Sequence, residues 1–319
     1  MSNSRSGMSP IVSEWHAFFA PVNRASNEAA IFDPAQIASF TASAPPAPWI
    51  NAGAITNLKR LSGTKIAQVR GGSSGASVSQ FRSAIDARVE FDFRDWGKVQ
   101  MAIAGGAEHM NVLAAANSGA PSGGPAVPPV DVLAGSTATS IVVGPAIVAT
   151  FNIGDLVAVD IDYTGQTGLI NAGIAAAYVR SSVGLSRDYI RRITFNLGCV
   201  AAKTADALVL ASPLIGGTPA AGAKLQLVTG FVDREGSSFF QEWSAVLISE
   251  TQSGGRICFY YPRLQPCASA AESAAEIEDP LRAMMLHANL LALPYADPND
   301  GQQCLCWRSY VPAPKVPAY

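Results

Sequence analysis

From Ala87 to Phe93 the chain alternates strictly: Ala87, Val89, Phe91 and Phe93 are apolar, while Arg88, Glu90 and Asp92 between them are charged. A period of two puts every apolar member on one face of a β-strand and leaves the other face in water. At residue 94 the period changes. Trp96, Val99, Met101, Ile103 and Ala104 suit a short helix over residues 94–104, stopped by Gly105 and Gly106, because glycine enters the left-handed conformation that ends a helix. Residues 49–113 therefore read as strand, Gly/Ser loop, strand and short helix, with the loop over residues 70–79.

The flanking regions have other textures. Residues 13–20 (SEWHAFFA) suggest a short helix and residues 44–48 (APPAP) a stiff connector, so residues 1–48 read as an N-terminal arm and linker. Residues 117–129 are dominated by Gly, Pro, Ser and Asn and form a second linker. Beyond it, residues 140–143, 146–153, 156–162, 175–179, 189–197 and 207–210 read as short strands, with turns at Gly154-Asp155 and Thr164-Gly165. That spacing predicts a small β domain over residues 119–211, inserted into a host core made of residues 47–118 and 212–319. In the second half of the core, residues 224–232 alternate, and residues 243–249 and 256–261 form an antiparallel pair across Ser253-Gly254-Gly255. Residues 281–293 are mixed and residues 303–311 alternate again. The alanine-rich residues 268–278, closed by Asp279-Pro280, are the one clear helix candidate in this half. The expected fold class is mainly β: a barrel or sandwich with one or two short helices and an inserted small β domain.

Composition narrows the function. Charged residues make up 14% of the 319 positions and hydrophobic ones 49%, so much of the surface is expected to be covered by other copies of the chain. A net charge of −2 and a pI near 5.9 argue against a general nucleic-acid binder and leave room only for local basic clusters. No stretch supplies the roughly 18 unbroken apolar residues of a membrane helix, and residues 1–15 lack a signal-peptide pattern, so membrane insertion is not expected. Five cysteines, with Cys304 and Cys306 two apart on one face of an expected strand, fit a reduced protein made in the cytoplasm.

Catalytic and ligand-binding motifs are weak. Gly71, Gly72, Ser73, Ser74 and Gly75 match the nucleophile-elbow pattern, but that motif needs a buried strand before it and a helix after it. Here the flanks are charged on one side and β-like on the other, so a flexible loop is the better reading. His16, His109 and His287 lack metal-ligand spacing; His287, inside MMLHANLL, reads as an interior or interface residue. Cys304 and Cys306 read as packed small hydrophobes. Asp92 and Asp95 read as acids at a helix start. Asp155, Asp160 and Asp162 lack the loop spacing of a calcium site. The densest aromatic region holds Phe231, Arg234, Phe239, Phe240, Trp243, Phe259, Tyr260, Tyr261 and Arg263. Its two readings are a nucleic-acid stacking surface and the core or subunit seam of a β-barrel; the second is preferred. No cofactor, metal or catalytic residue is expected.

The order of elements resembles the phage tail tube (major tail) proteins. The resemblance rests on residues 91–106, a charged alternating strand running into W-x-x-x-x-x-A-x-x-G-G. It rests also on FFQEWSAVLISETQSGGRICFYYPRLQPCASA followed by DPLRAMMLHANLLALPY. It covers roughly residues 47–113 and 222–311; the long N-terminal region and the insertion depart from the family pattern. What the resemblance implies is a structural virion protein, assembled in the host cytoplasm, whose hexameric rings stack into a tube. The tube meets other tail proteins and conducts DNA through its lumen without sequence recognition. Candidate inter-subunit contacts are Arg70, Gly71, Gly72, Ser73, Ser74, Gly75, Trp96, Trp243, Tyr260, Tyr261 and Arg263. The alternative is a capsid-associated or baseplate β protein whose inserted domain binds a receptor or sugar, and a hydrolase acting through Ser73 stands third.

Overall fold

The computed structural model describes residues 12–22, 28–41, 45–71, 76–106, 108–114, 127–160, 191–192, 194–234, 241–267, 271–278 and 281–313. The protein is mainly β, with two antiparallel sheets and two short α-helices among these residues. The first sheet is built from β1 (Val12–Pro21), β2 (Ile50–Gly71), β3 (Ala76–Phe93), β12 (Trp243–Thr251), β13 (Arg256–Pro266), β14 (Ala271–Glu278), β15 (Leu281–Ala292) and β18 (Trp307–Val311). The second holds β4 (Glu108–Leu113), β5 (Val130–Asp131), β6 (Ser140–Val142), β7 (Leu156–Asp160), β8 (Arg191–Arg192), β9 (Leu197–Lys203), β10 (Ala207–Leu210) and β11 (Lys224–Arg234). A small ladder joins β16 (Tyr295–Ala296) to β17 (Gln303–Cys304). The helices are α1 (Lys98–Gly105) and α2 (Pro145–Val148).

In the first sheet the order is β14-β15-β3-β2-β1-β12-β13-β18. A short ladder between β13 and β15, Leu264 to Ala292 through Pro266 to Leu290, brings the sheet nearly into a closed ring. The alternation at residues 87–93 has the expected consequence: Val89, Phe91 and Phe93 are at most 1% exposed and line the ring's core with Phe19, Ile55, Trp243, Leu247 and Tyr261. A fully buried side chain of this size contributes roughly 1.5–3 kcal/mol. α1 lays Ala102, Ile103 and Ala104 into the same core, and Gly106 ends it at φ 60 as the double glycine predicts.

Several expectations are corrected. Residues 13–20 are not helical and not part of an arm; they belong to β1, which lies between β2 and β12. Both faces of β1 are buried, Ala17 and Phe19 in the ring core and Phe18 and Ala20 under Phe32, Ile37 and Trp49, which gives an unbroken apolar run without strand periodicity. The alanine-rich helix candidate is β14, held as a strand by its ladder to β15 from Ala271↔His287 to Glu278↔Leu281. Tertiary pairing overrides helix propensity there. Residues 146–153 contain α2 rather than a strand. The expected strand over 303–311 is interrupted between Cys304 and Trp307. The strand expected at 175–179, residues 189, 190 and 193 of the one expected at 189–197, the turn Thr164-Gly165, and Asp162 lie outside the described residues.

The second sheet packs its own core of Val132, Ile141, Val157, Val159, Val200, Leu208 and Leu225. Two of its strands, β4 and β11, come from outside residues 119–211, and β11 pairs with both β4 and β7. The sheets meet through buried side chains. Phe195, next to β9, joins the ring core beside Trp243 at 5.8 Å. Buried Lys98 of α1 donates to Asn111 Oδ1 at 2.7 Å and to the Thr194 carbonyl, with its ammonium 4.6 Å from the Phe195 ring.

Candidate functional site

The 22 residues of β2 and the 18 of β3 are far longer than the ring requires. β2 meets β1 between Ile50 and Ile55, and β3 meets β15 between Arg88 and Phe93. Beyond those points, from Leu61↔Arg88 to Gly71↔Ala76, the two strands pair with each other. At about 3.3 Å per residue the resulting arm extends roughly 30 Å. Val78 is 70% exposed, Ile66 57% and Phe81 55%, and Leu61, Val69 and Ile85 are exposed as well. Directly paired residues share a face, so Ala67 and Phe81 lie on one side and Ile66, paired with Arg82, on the other. Apolar side chains thus stand in water on both faces.

The arm is also polarised by charge. Residues 59–88 hold six Lys and Arg against one Asp, a net +5, while the other 16 Lys and Arg and 23 Asp and Glu leave −7 on the rest of the chain.

The base of the arm is anchored. A bulge between Thr56 and Lys59, with Asn57 at φ 55, bends β2 where it leaves the ring. The Asn57 amide donates to Asp92 Oδ2 at 2.7 Å, and the other Asp92 oxygen lies 2.7 Å from His287 Nδ1. Burial pushes the Asp92 carboxyl up, but hydrogen bonds from Asn57 and His287 and the His287 charge outweigh it and hold the group below its ordinary value. Three residues further on, Arg60 donates from Nε to the Tyr261 hydroxyl at 2.6 Å and lies 4.1 Å over the Phe259 ring. Burial pushes the Tyr261 hydroxyl up to about 12, so it stays protonated.

The sequence-derived contact residues fall in different places. Arg70 and Gly71 are paired strand residues near the tip of the arm, whereas Gly72, Ser73, Ser74 and Gly75 lie outside the described residues. Trp96 is 46% exposed beside α1, where it packs on Phe231 and donates to Glu272 Oε1 at 3.3 Å. Trp243 and Tyr261 are at most 1% exposed and serve the ring core, and Tyr260 is buried under Trp307. Arg263 is tied to Glu242 through two nitrogens, at 2.7 and 2.9 Å. The expected loop over 70–79 is mostly strand. The exposed apolar residues Leu61, Ile66, Val69, Val78, Phe81 and Ile85 were missed. Their signal was the β-branched and aromatic content of KIAQVR and SVSQF, which keeps no period of two and stands among glycines and serines.

The other candidates are placed by the fold as follows. The pattern around Ser73 is flanked by two strands of one hairpin, which lacks the following helix of a nucleophile elbow. Asp92 sits in β3 rather than at a helix start, and Asp155 caps a turn by accepting from the Asn152 amide at 2.7 Å. His109 is buried against Phe195 at 4.3 Å. Burial pushes the Cys258 and Cys304 thiols up to about 11, leaving them poor nucleophiles. Among the described residues no group of three or more His, Cys, Asp or Glu is placed to hold a metal ion, and no helix is long and apolar enough to cross a membrane. The chain matches no protein-family model and no curated protein.

Proposed function

We propose that the chain is a self-assembling structural subunit of the phage tail tube type, which closes into hexameric rings and stacks them into a DNA-conducting tube in the virion tail. The observation that carries this reading is the arm: a rigidly based hairpin that leaves its own subunit and holds apolar side chains in water on both faces. Exposed apolar surface on a long hairpin marks a contact face for another chain. The +5 arm and the −7 remainder attract each other between copies, and arm-to-body contacts repeat head to tail, the geometry of an open stack. β14 and β18 end the first sheet at its two sides and leave edges on which neighbouring copies extend the sheet into a ring. The tube meets other tail proteins at its ends, and DNA passes without base recognition.

Negative-stain electron microscopy of purified protein tests the reading. Rings or tubes with an axial channel are expected; dispersed single subunits at all protein concentrations would overturn it.

A further inference from the structure

Away from the arm, a cleft of about 230 Å³ opens between the start of β18, the β16–β17 turn and residues 31–34. Its wall is aromatic. Trp307 stacks on Tyr260 with ring centroids 5.4 Å apart, and Tyr295 meets Trp307 near-perpendicularly at 6.4 Å. Two of the polar atoms around it are engaged: the Tyr260 hydroxyl donates to the Ala30 carbonyl at 2.8 Å, and Asp297 Oδ1 accepts from both the backbone and side-chain amides of Asn299. A cleft walled by ring faces suits a proline-rich segment in the polyproline conformation, which lays its prolines on aromatic side chains.

The chain itself carries such a segment. Residues 311–319 read VPAPKVPAY, with prolines at 312, 314 and 317 and one cation, Lys315. The turn beside the cleft carries Asp297 and Asp300, of opposite sign. β18 runs away from the cleft, from Trp307 opposite Tyr260 to Val311 opposite Arg256, and Ala313 lies against Gly254. The six residues that follow span about 19 Å as polyproline. The way back from Ala313 to Trp307 is about 20 Å of strand, so residues 314–319 of one copy cannot both cover that distance and lie along their own cleft. The same residues of another copy have no such limit. We propose that the Trp307 cleft binds residues 314–319 of a second copy of the chain, an interaction surface separate from the arm.

The test uses protein truncated after Ala313 and a fluorescently labelled peptide of residues 311–319, followed by polarisation. Saturable binding is expected. It should weaken about tenfold or more on Trp307→Ala, and similarly on Ile31→Lys. Ile31 is 73% exposed, so its substitution changes the cleft mouth without touching the core. Replacing the three prolines by alanine should also weaken binding. Full-length protein should take up the peptide when dilute and refuse it when concentrated, as tails of other copies fill the cleft. Absence of binding, or binding indifferent to both substitutions, would overturn the proposal. Refusal that is independent of protein concentration would place the tail in its own cleft and overturn the exchange between copies.

Discussion

Arg60 Nε donates to the Tyr261 hydroxyl across 2.6 Å, joining the first residues of the exposed arm to a side chain inside the ring. The guanidinium also covers Phe259, so one residue fixes the direction in which the hairpin leaves the body. Arg60→Ala should cost about 1–3 kcal/mol in chemical denaturation, through the lost charge-assisted bond and packing. It should also make the arm more sensitive to trypsin at Arg70. Tyr261→Phe keeps the packing and should cost less; equal losses would show that the hydrogen bond carries the whole effect.

The apolar residues of the arm make the opposite prediction, since they serve contacts outside the subunit. Ile66→Asp and Phe81→Ser should leave the stability of the isolated subunit within about 0.5 kcal/mol, as expected of exposed positions. Self-association measured by light scattering should fall sharply in both. A large loss of subunit stability with association unchanged would mean that the arm folds onto its own body.

Lys98 predicts a pH dependence. Burial pushes its ammonium well below the ordinary value of 10.5. Between the lowered folded value and 10.5 the unfolded chain binds the extra proton, so stability rises with pH across that window, by up to about 1.4 kcal/mol per pH unit. Comparing denaturation curves of wild type and Lys98→Met isolates this contribution. The stability difference between them should shift in favour of wild type as pH rises through the window. Parallel curves would show that the ammonium is solvated.

Gly53 is a position where only glycine fits. Its φ is +90, and a Cβ there would lie 2.0 Å from Asp95 Oδ2. Gly53→Ala should cost about 2 kcal/mol or more. Adding Asp95→Ala should recover the steric part and leave the backbone part; no recovery in thermal denaturation would assign the whole cost to the backbone.

Legibility in the sequence followed the burial pattern. Residues 87–93 were readable because their apolar face is buried and their charged face is not, so periodicity reports the fold directly, and α1 because a double glycine marks its end. β1 was not, because Phe18 and Phe19 are both buried on opposite faces and the run loses its period. β14 was hidden by alanine and glutamate, which favour helix until β15 supplies a ladder. The arm was half legible: its tip was marked by glycine and serine, but the length of its strands depends on pairing between β2 and β3 that no local window contains. Trp243 and Tyr261 show the limit for site residues. Aromatic composition is shared by cores and interfaces, and only the closure of the ring places these two inside. The same holds for Thr194 and Phe195, which sit within the 119–211 segment yet complete the surroundings of Lys98 and Trp243.

The central claim is that the arm assembles the protein, and sedimentation velocity of wild type beside a variant with residues 62–86 replaced by a short turn tests it most directly. Wild type should sediment as large, concentration-dependent assemblies. The shortened chain, still folded by circular dichroism, should sediment as a single small species. Assemblies of the same size from both proteins would contradict the account.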